Sequence, residues 1–76
     1  MSRISFSRDQ LDRAGDCIKW LMKNVGPLED HHGGSYVRGV GWEYWVVNNP
    51  EILTVHVELT ADVDEETQIL FMLKWA

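Results

Sequence analysis

With one cysteine, Cys17, and no set of ligands spaced for zinc, a chain of 76 residues has to hold itself together by packing alone. A domain this short buries only about 60% of the surface its unfolded chain exposes, so large side chains matter most. Trp20, Trp42, Trp45 and Trp75, with Phe6, Tyr36, Tyr44 and Phe71, supply that bulk. Each buries on the order of 150–250 Å² when inside. One domain is expected over 1–76, with no room for a second core.

The ends of the functional range can be trimmed early. Met1-Ser2-Arg3-Ile4-Ser5 runs into charged residues without the apolar stretch of a secretory signal. The longest uninterrupted apolar run, Ile69–Leu73, is far short of the ~20 residues that cross a bilayer. A lone thiol without an export signal is expected in a reducing cytoplasm. The net charge of −5 is unevenly spread: residues 1–25 carry five basic and three acidic groups, residues 26–76 two basic and nine acidic. Direct contact with nucleic acid or an anionic membrane, which needs Lys and Arg facing phosphates, is not expected.

Ser7-Arg8-Asp9-Gln10 fits a capping box, and Phe6 with Leu11 fits a hydrophobic staple. Lys19 and Lys23 suit the negative end of a helix dipole, and Gly26-Pro27 stops the helix. The spacing predicts a helix over about residues 8–25. Leu11, Ala14, Ile18, Leu21, Met22 and Val25 share one arc of roughly 100°, a stripe for packing on a sheet. Trp20 falls on the opposite, polar side, where the C-terminal segment or a loop could fold over it.

Residues 26–35 read as a loop. Tyr36 to Val47 reads as a strand, with Val40, Trp42, Tyr44 and Val46 on one face and Gly41, Glu43, Trp45 and Val47 on the other. Gly39 and Gly41 mark a bulge or a close approach by another backbone. Asn48-Asn49-Pro50 is a turn. Ile52 to Thr60 then alternates well, with Leu53, Val55, Val57 and Leu59 facing one way and Thr54, His56, Glu58 and Thr60 the other. Ala61 to Thr67 reads as a charged hairpin loop. Gln68 to Trp75 reads as a third strand, giving an α-β-β-β meander: one N-terminal helix on a three-stranded antiparallel sheet, class α+β. The alternative is α-β-β-α, with Asp64 capping a final helix of good helix formers.

No constellation of residues calls for catalysis, a cofactor or a metal. His31 and His32 are adjacent and point apart on an extended loop, so they suit a solvated segment better than a zinc site, even with Glu29, Asp30 or His56 near. Asp62, Asp64 and Glu66 lack the glycine and the distant glutamate of a calcium loop. Cys17 lies mid-helix with only Arg13 a turn away, the setting of a structural thiol. No serine sits in a Gly-x-Ser-x-Gly elbow, and Gly33-Gly34 lacks a phosphate loop's lysine. His56, Glu58 and Lys74 would make a cross-strand charge group rather than a catalytic pocket.

What does stand out is apolar residues on the sheet's second face. In the meander, Trp45, Val47, Leu70 and Met72 lie opposite the helix-covered side, and such a patch marks an interface. With Trp20 and the acidic Asp62, Asp64, Glu65 and Glu66, they form the expected partner-binding set. The expected function is a non-enzymatic protein-binding module, a small acidic adaptor or inhibitor of the kind found among phage and mobile-element accessory proteins. The alternative is a homodimer whose sheet face is the interface.

Overall fold

The computed structural model describes residues 2–31 and 35–76. In chain order the elements are β1 (Arg3–Ser7), a 3-10 turn (Arg8–Gln10), α1 (Leu11–Asn24), β2 (Leu28–His31), β3 (Tyr36–Gly39), β4 (Trp42–Asn48), β5 (Leu53–Leu59) and α2 (Glu65–Trp75). The class is α+β, with one antiparallel sheet and two helices. The sheet has five strands in the order β1-β5-β4-β3-β2 rather than three, and the final segment is a helix.

The expected three-stranded meander fails at both ends for separate reasons. Arg-Ile-Ser-Phe-Ser ahead of the helix alternates strictly, and Ile4 and Phe6 are core residues paired with Val57 and Val55. Phe6 therefore packs from a strand instead of stapling a helix end. Ser7 still opens the helical segment, since its N–H donates to Gln10 Oε1 at 3.0 Å. At the other end, Asp64 accepts the Thr67 N–H at 2.7 Å, and Glu65 and Glu66 occupy the first turn. That N-cap decides for helix over strand. The loop expected over 26–35 contains β2, and the strand expected over 36–47 divides into β3 and β4 around Val40-Gly41. Gly41 takes φ 89°, a left-handed conformation that glycine adopts without penalty.

β1 and β2 lie at opposite edges of the sheet and run in the same direction, so α1 must cross the whole sheet. Its 14 residues rise about 21 Å, against roughly 19 Å for four strand spacings. Both helices pack on one face. There, Ile4, Phe6, Val37, Trp42, Val55, Val57 and Leu59 meet Ala14, Cys17 and Leu21 of α1 and Phe71 and Trp75 of α2. The buried stripe of α1 is rotated from expectation. Cys17 is fully buried, while Leu11 and Met22 are exposed. The cause is α2, which lies beside α1 and covers Trp20, whose ring sits 6.3 Å from Phe71 and 6.5 Å from Trp75. Arg13 Nη2 donates to the Lys74 carbonyl across the same seam.

Trp42 is the keystone of the far side. It is 0% exposed, its indole N–H donates to the Gly26 carbonyl at 2.8 Å, and its ring lies against its cross-strand partner Gly39. The close approach expected at Gly39 is thus made by an aromatic ring, not by a backbone.

Candidate protein-interaction site

An eleven-residue helix packed on a sheet should turn one stripe inward and show polar groups outside. In α2, Phe71 and Trp75, one turn apart, are the buried pair. Ile69 and Leu73, also one turn apart, lie on the other side of the helix, with Leu70 beside them. They are 52%, 77% and 51% exposed. Met72 is half-buried on the flank, where with Ser2, Glu65, Gln68, Ile69 and Leu73 it lines a shallow depression of about 350 Å³. The helix is held in place from beneath, since Gln68 Nε2 donates to the Val63 carbonyl and the Gln68 side-chain oxygen is hydrogen-bonded by Ser2 Oγ.

The N-terminal end of this apolar face is acidic. Asp62, Asp64, Glu65 and Glu66 are all exposed. The Thr67 side chain, and then its N–H, hold the Asp64 carboxyl below its ordinary range. Thr60 hydroxyl does the same for Asp62, helped by the Asp62 backbone amide. Both carboxylates therefore keep their charge to lower pH than an unpartnered aspartate does. Lys74 stands at the opposite end of α2.

The uncovered face of the sheet is a different kind of surface. Arg3, Glu58, Glu43 and Arg38 form one row across it, and Ser5, His56, Trp45 and Tyr36 form the next. These groups satisfy one another. Arg3 Nε pairs with Glu58 at 2.8 Å, Arg38 Nη2 with Glu29 at 3.2 Å, and Tyr36 hydroxyl donates to Glu43 at 2.7 Å. The His56 ring stacks on Trp45 at 5.4 Å, the Arg3 guanidinium lies 5.1 Å from the same indole, and Ser5 Oγ is 2.8 Å from His56 Nδ1. Trp45 is half-buried within this group.

The partner-binding set expected from sequence therefore divides. Trp45 and Val47 are on the open sheet face, as read. Leu70 and Met72 are not, because they belong to α2 on the far side of the sheet. Trp20 is partly buried between the helices. Glu65 and Glu66 lie in the first turn of α2, with Asp64 as its N-cap and Asp62 in the turn before it, instead of at a hairpin tip. Ile69 and Leu73 were missed as surface groups. The signal that would have found them is a four-residue spacing on the side opposite Phe71 and Trp75, once Asp64 is read as the cap.

Burial pushes the Cys17 thiol up to about 12, against a smaller lowering by Arg13. His32, read as part of a solvated histidine pair, lies outside the described residues. Among the described residues no group of three His, Cys, Asp or Glu side chains converges as a metal site, and no helix is long and apolar enough to cross a membrane. Comparison with protein-family models, with curated proteins and with solved structures finds no match for this chain.

Proposed function

We propose that this chain is a non-enzymatic protein-binding module, a small acidic adaptor or inhibitor that lays the outer face of α2 into an apolar groove of a partner protein. The observation that carries this reading is the exposure of Ile69, Leu70 and Leu73 on one helix face. Helix-in-groove recognition uses such anchors at three- and four-residue spacing. Asp62, Asp64, Glu65 and Glu66 extend the face into an acidic rim, so the matching groove carries basic residues at one end. The net charge of −5 favours a protein partner over phosphates. Ser5 and His56, the one hydroxyl–imidazole contact described, lie on a sheet face with no helix above to exclude water, which favours a structural role. A fully buried thiol suits a reducing compartment.

The second reading, a homodimer, draws on the polarity of α2. In an antiparallel pair, Glu65 and Glu66 approach Lys74 of the second copy. One pair of measurements separates the two. Light scattering over a wide concentration range gives the mass, and affinity capture compares the wild-type chain with Leu73→Glu and with Thr54→Glu on the open sheet face. A monomer whose captured protein is retained by Thr54→Glu, lost with Leu73→Glu and weakened by salt supports the module. A dimer dissolved by Leu73→Glu assigns the face to self-association. Capture unaffected by Leu73→Glu refutes the module, and a monomer at every concentration refutes the dimer.

A further inference from the structure

We propose that the depression beside α2, lined by Ser2, Glu65, Gln68, Ile69, Met72 and Leu73, receives one arginine side chain from the lip of the partner's groove. Its aliphatic stem lies on Ile69 and Met72, and its guanidinium meets the Glu65 carboxylate. This inference rests on the reading that the outer face of α2 is the docking face, and it names the contact that anchors the acidic end.

The outer surface of α2 is two rows. At about 100° per residue, Glu65, Ile69 and Leu73 follow one another at four-residue spacing along the flank that the depression borders. Glu66, Leu70 and Lys74 follow along the other. The second row holds charges of both signs, since Lys74 is the one basic residue of the helix. Lys74 stands about 180° around the helix from Glu65, and its Nζ lies 5.3 Å from the Trp75 ring. The first row has no counter-charge. None of the six residues lining the depression is basic. Among the described residues the two ion pairs engage Glu58 and Glu29, and Glu65 takes part in neither.

The other polar groups of the depression are committed. Gln68 Nε2 donates to the Val63 carbonyl, and the Gln68 oxygen is hydrogen-bonded by Ser2 Oγ. Glu65 is therefore the polar group left to meet a ligand, at the end of a floor made by half-buried Met72 and by Ile69, 52% exposed. An apolar strip that ends in an unpaired carboxylate matches a side chain with an aliphatic stem and a cationic head. A wholly apolar side chain would cover Glu65 without pairing it, and an uncompensated buried charge is costly. Arginine suits the site better than lysine, because a guanidinium is more weakly hydrated and forks onto a carboxylate through two N–H bonds.

The test begins with an NMR titration of the labelled full chain at fixed ionic strength. The probes are N-acetyl-arginine methylamide and N-acetyl-citrulline methylamide, which has a similar stem and no charge. The Met72 methyl and Gln68 side-chain amide signals should move, with arginine binding about threefold tighter. Glu65→Gln removes that preference. Glu66→Gln loses the same charge from the same helical turn and keeps it, so a weakened helix dipole is not mistaken for a lost contact. On the partner captured by the α2 face, Glu65→Gln should weaken binding about tenfold and Glu66→Gln should leave it unchanged. Equal titration by arginine and citrulline overturns the proposal. A loss on Lys74→Gln as large as that on Glu65→Gln assigns the cation to a second copy of the chain and also overturns it. Capture lost with Leu73→Glu yet indifferent to Glu65→Gln overturns this inference and leaves the α2 reading standing, whereas capture indifferent to Leu73→Glu overturns both.

Discussion

Gly39→Ala adds one methyl group at the point where the Trp42 indole rests on the sheet. A Cβ built there would lie 2.1 Å from Trp42 Cε2 and 2.4 Å from Nε1, well inside contact distance. The neighbour that must give is a ring buried on all sides whose N–H is tied to the Gly26 carbonyl. Gly26 is itself closely packed against Val40, where a Cβ would meet the Val40 carbonyl oxygen at 2.3 Å, so its carbonyl has little space in which to follow the ring. Overpacking of this kind costs about 1–3 kcal/mol. Pulling the indole from its acceptor leaves a buried donor unpaired, at about 1–3 kcal/mol more. Against this, alanine lowers the entropy of the unfolded chain and returns about 0.4–1 kcal/mol. The clash wins, and the net loss is about 2–4 kcal/mol, a fall in Tm of roughly 10 °C or more for a domain of this size. Urea unfolding at constant m-value measures it, with the Trp42 indole N–H resonance as local reporter. Gly15→Ala is the control: it sits inside α1 with nothing within 4 Å of its would-be Cβ, so the same substitution stabilises by about 0.5–1 kcal/mol. A Gly39→Ala protein as stable as wild type, with the indole signal unmoved, refutes the assignment of Trp42 as a fixed keystone.

Three further outcomes follow from the same geometry. Trp45→Ala removes the His56 stack and the Arg3 contact and costs about 1–2 kcal/mol, yet the chain stays folded and keeps whatever partner α2 holds; loss of the partner in a folded Trp45→Ala chain would move the interface to the sheet face. Asp62 and Asp64 titrate below their unfolded values, so their contribution is present above the ordinary carboxylate range near pH 4 and is lost as pH falls through the lower folded values. Asp64→Ala should therefore flatten the acid limb of a stability–pH curve and reduce helicity by circular dichroism. Cys17 has its folded value raised to about 12, so its contribution is complete below the unfolded thiol value near 8.5 and is lost as pH rises from there toward 12. In native conditions at pH 8 the thiol should react with a disulfide reagent only through opening of the core, and Cys17→Ser should unfold at lower urea.

The parts of the fold legible in the sequence were those with a single dominant period. β5 alternates from Leu53 to Leu59, and its two faces are as read. α1 shows its start at Ser7–Gln10 and its stop at Gly26-Pro27. β1 carries just as strict an alternation, but Phe6 and Ser7 serve a helix start equally well, and the local signal could not say that Val55 and Val57 would arrive beside Ile4 and Phe6. β2, reading Leu-Glu-Asp-His, contains no β-branched or aromatic residue; pairing with β3 makes it a strand. In α2, Ile69, Phe71, Leu73 and Trp75 satisfy a two-residue period while Phe71 with Trp75 and Ile69 with Leu73 satisfy a four-residue one. Only the Asp64 cap distinguishes them. The same ambiguity bears on the candidate site: Leu70 and Met72, expected on the open sheet face, belong to α2, where Leu70 is exposed and Met72 packs against the core.

The pairing of β1 with β5 joins Arg3 to Glu58 and Phe6 to Val55 across most of the chain. On a ribosome, β1 is made before α1, β2, β3 and β4, and waits through all of them for β5. Until β5 is clear of the exit tunnel, Ile4 and Phe6 have no strand to lie against, and α1 has no floor on which to set Cys17 and Leu21. The domain therefore has no stable half, and its folding is a late and cooperative event with the slow closure expected of distant strand pairs. A chain arrested before Leu59 would leave Ile4 and Phe6 without their strand, and one arrested before Phe71 and Trp75 would leave the core uncovered beside α1, so both β5 and α2 must be made before the core can close.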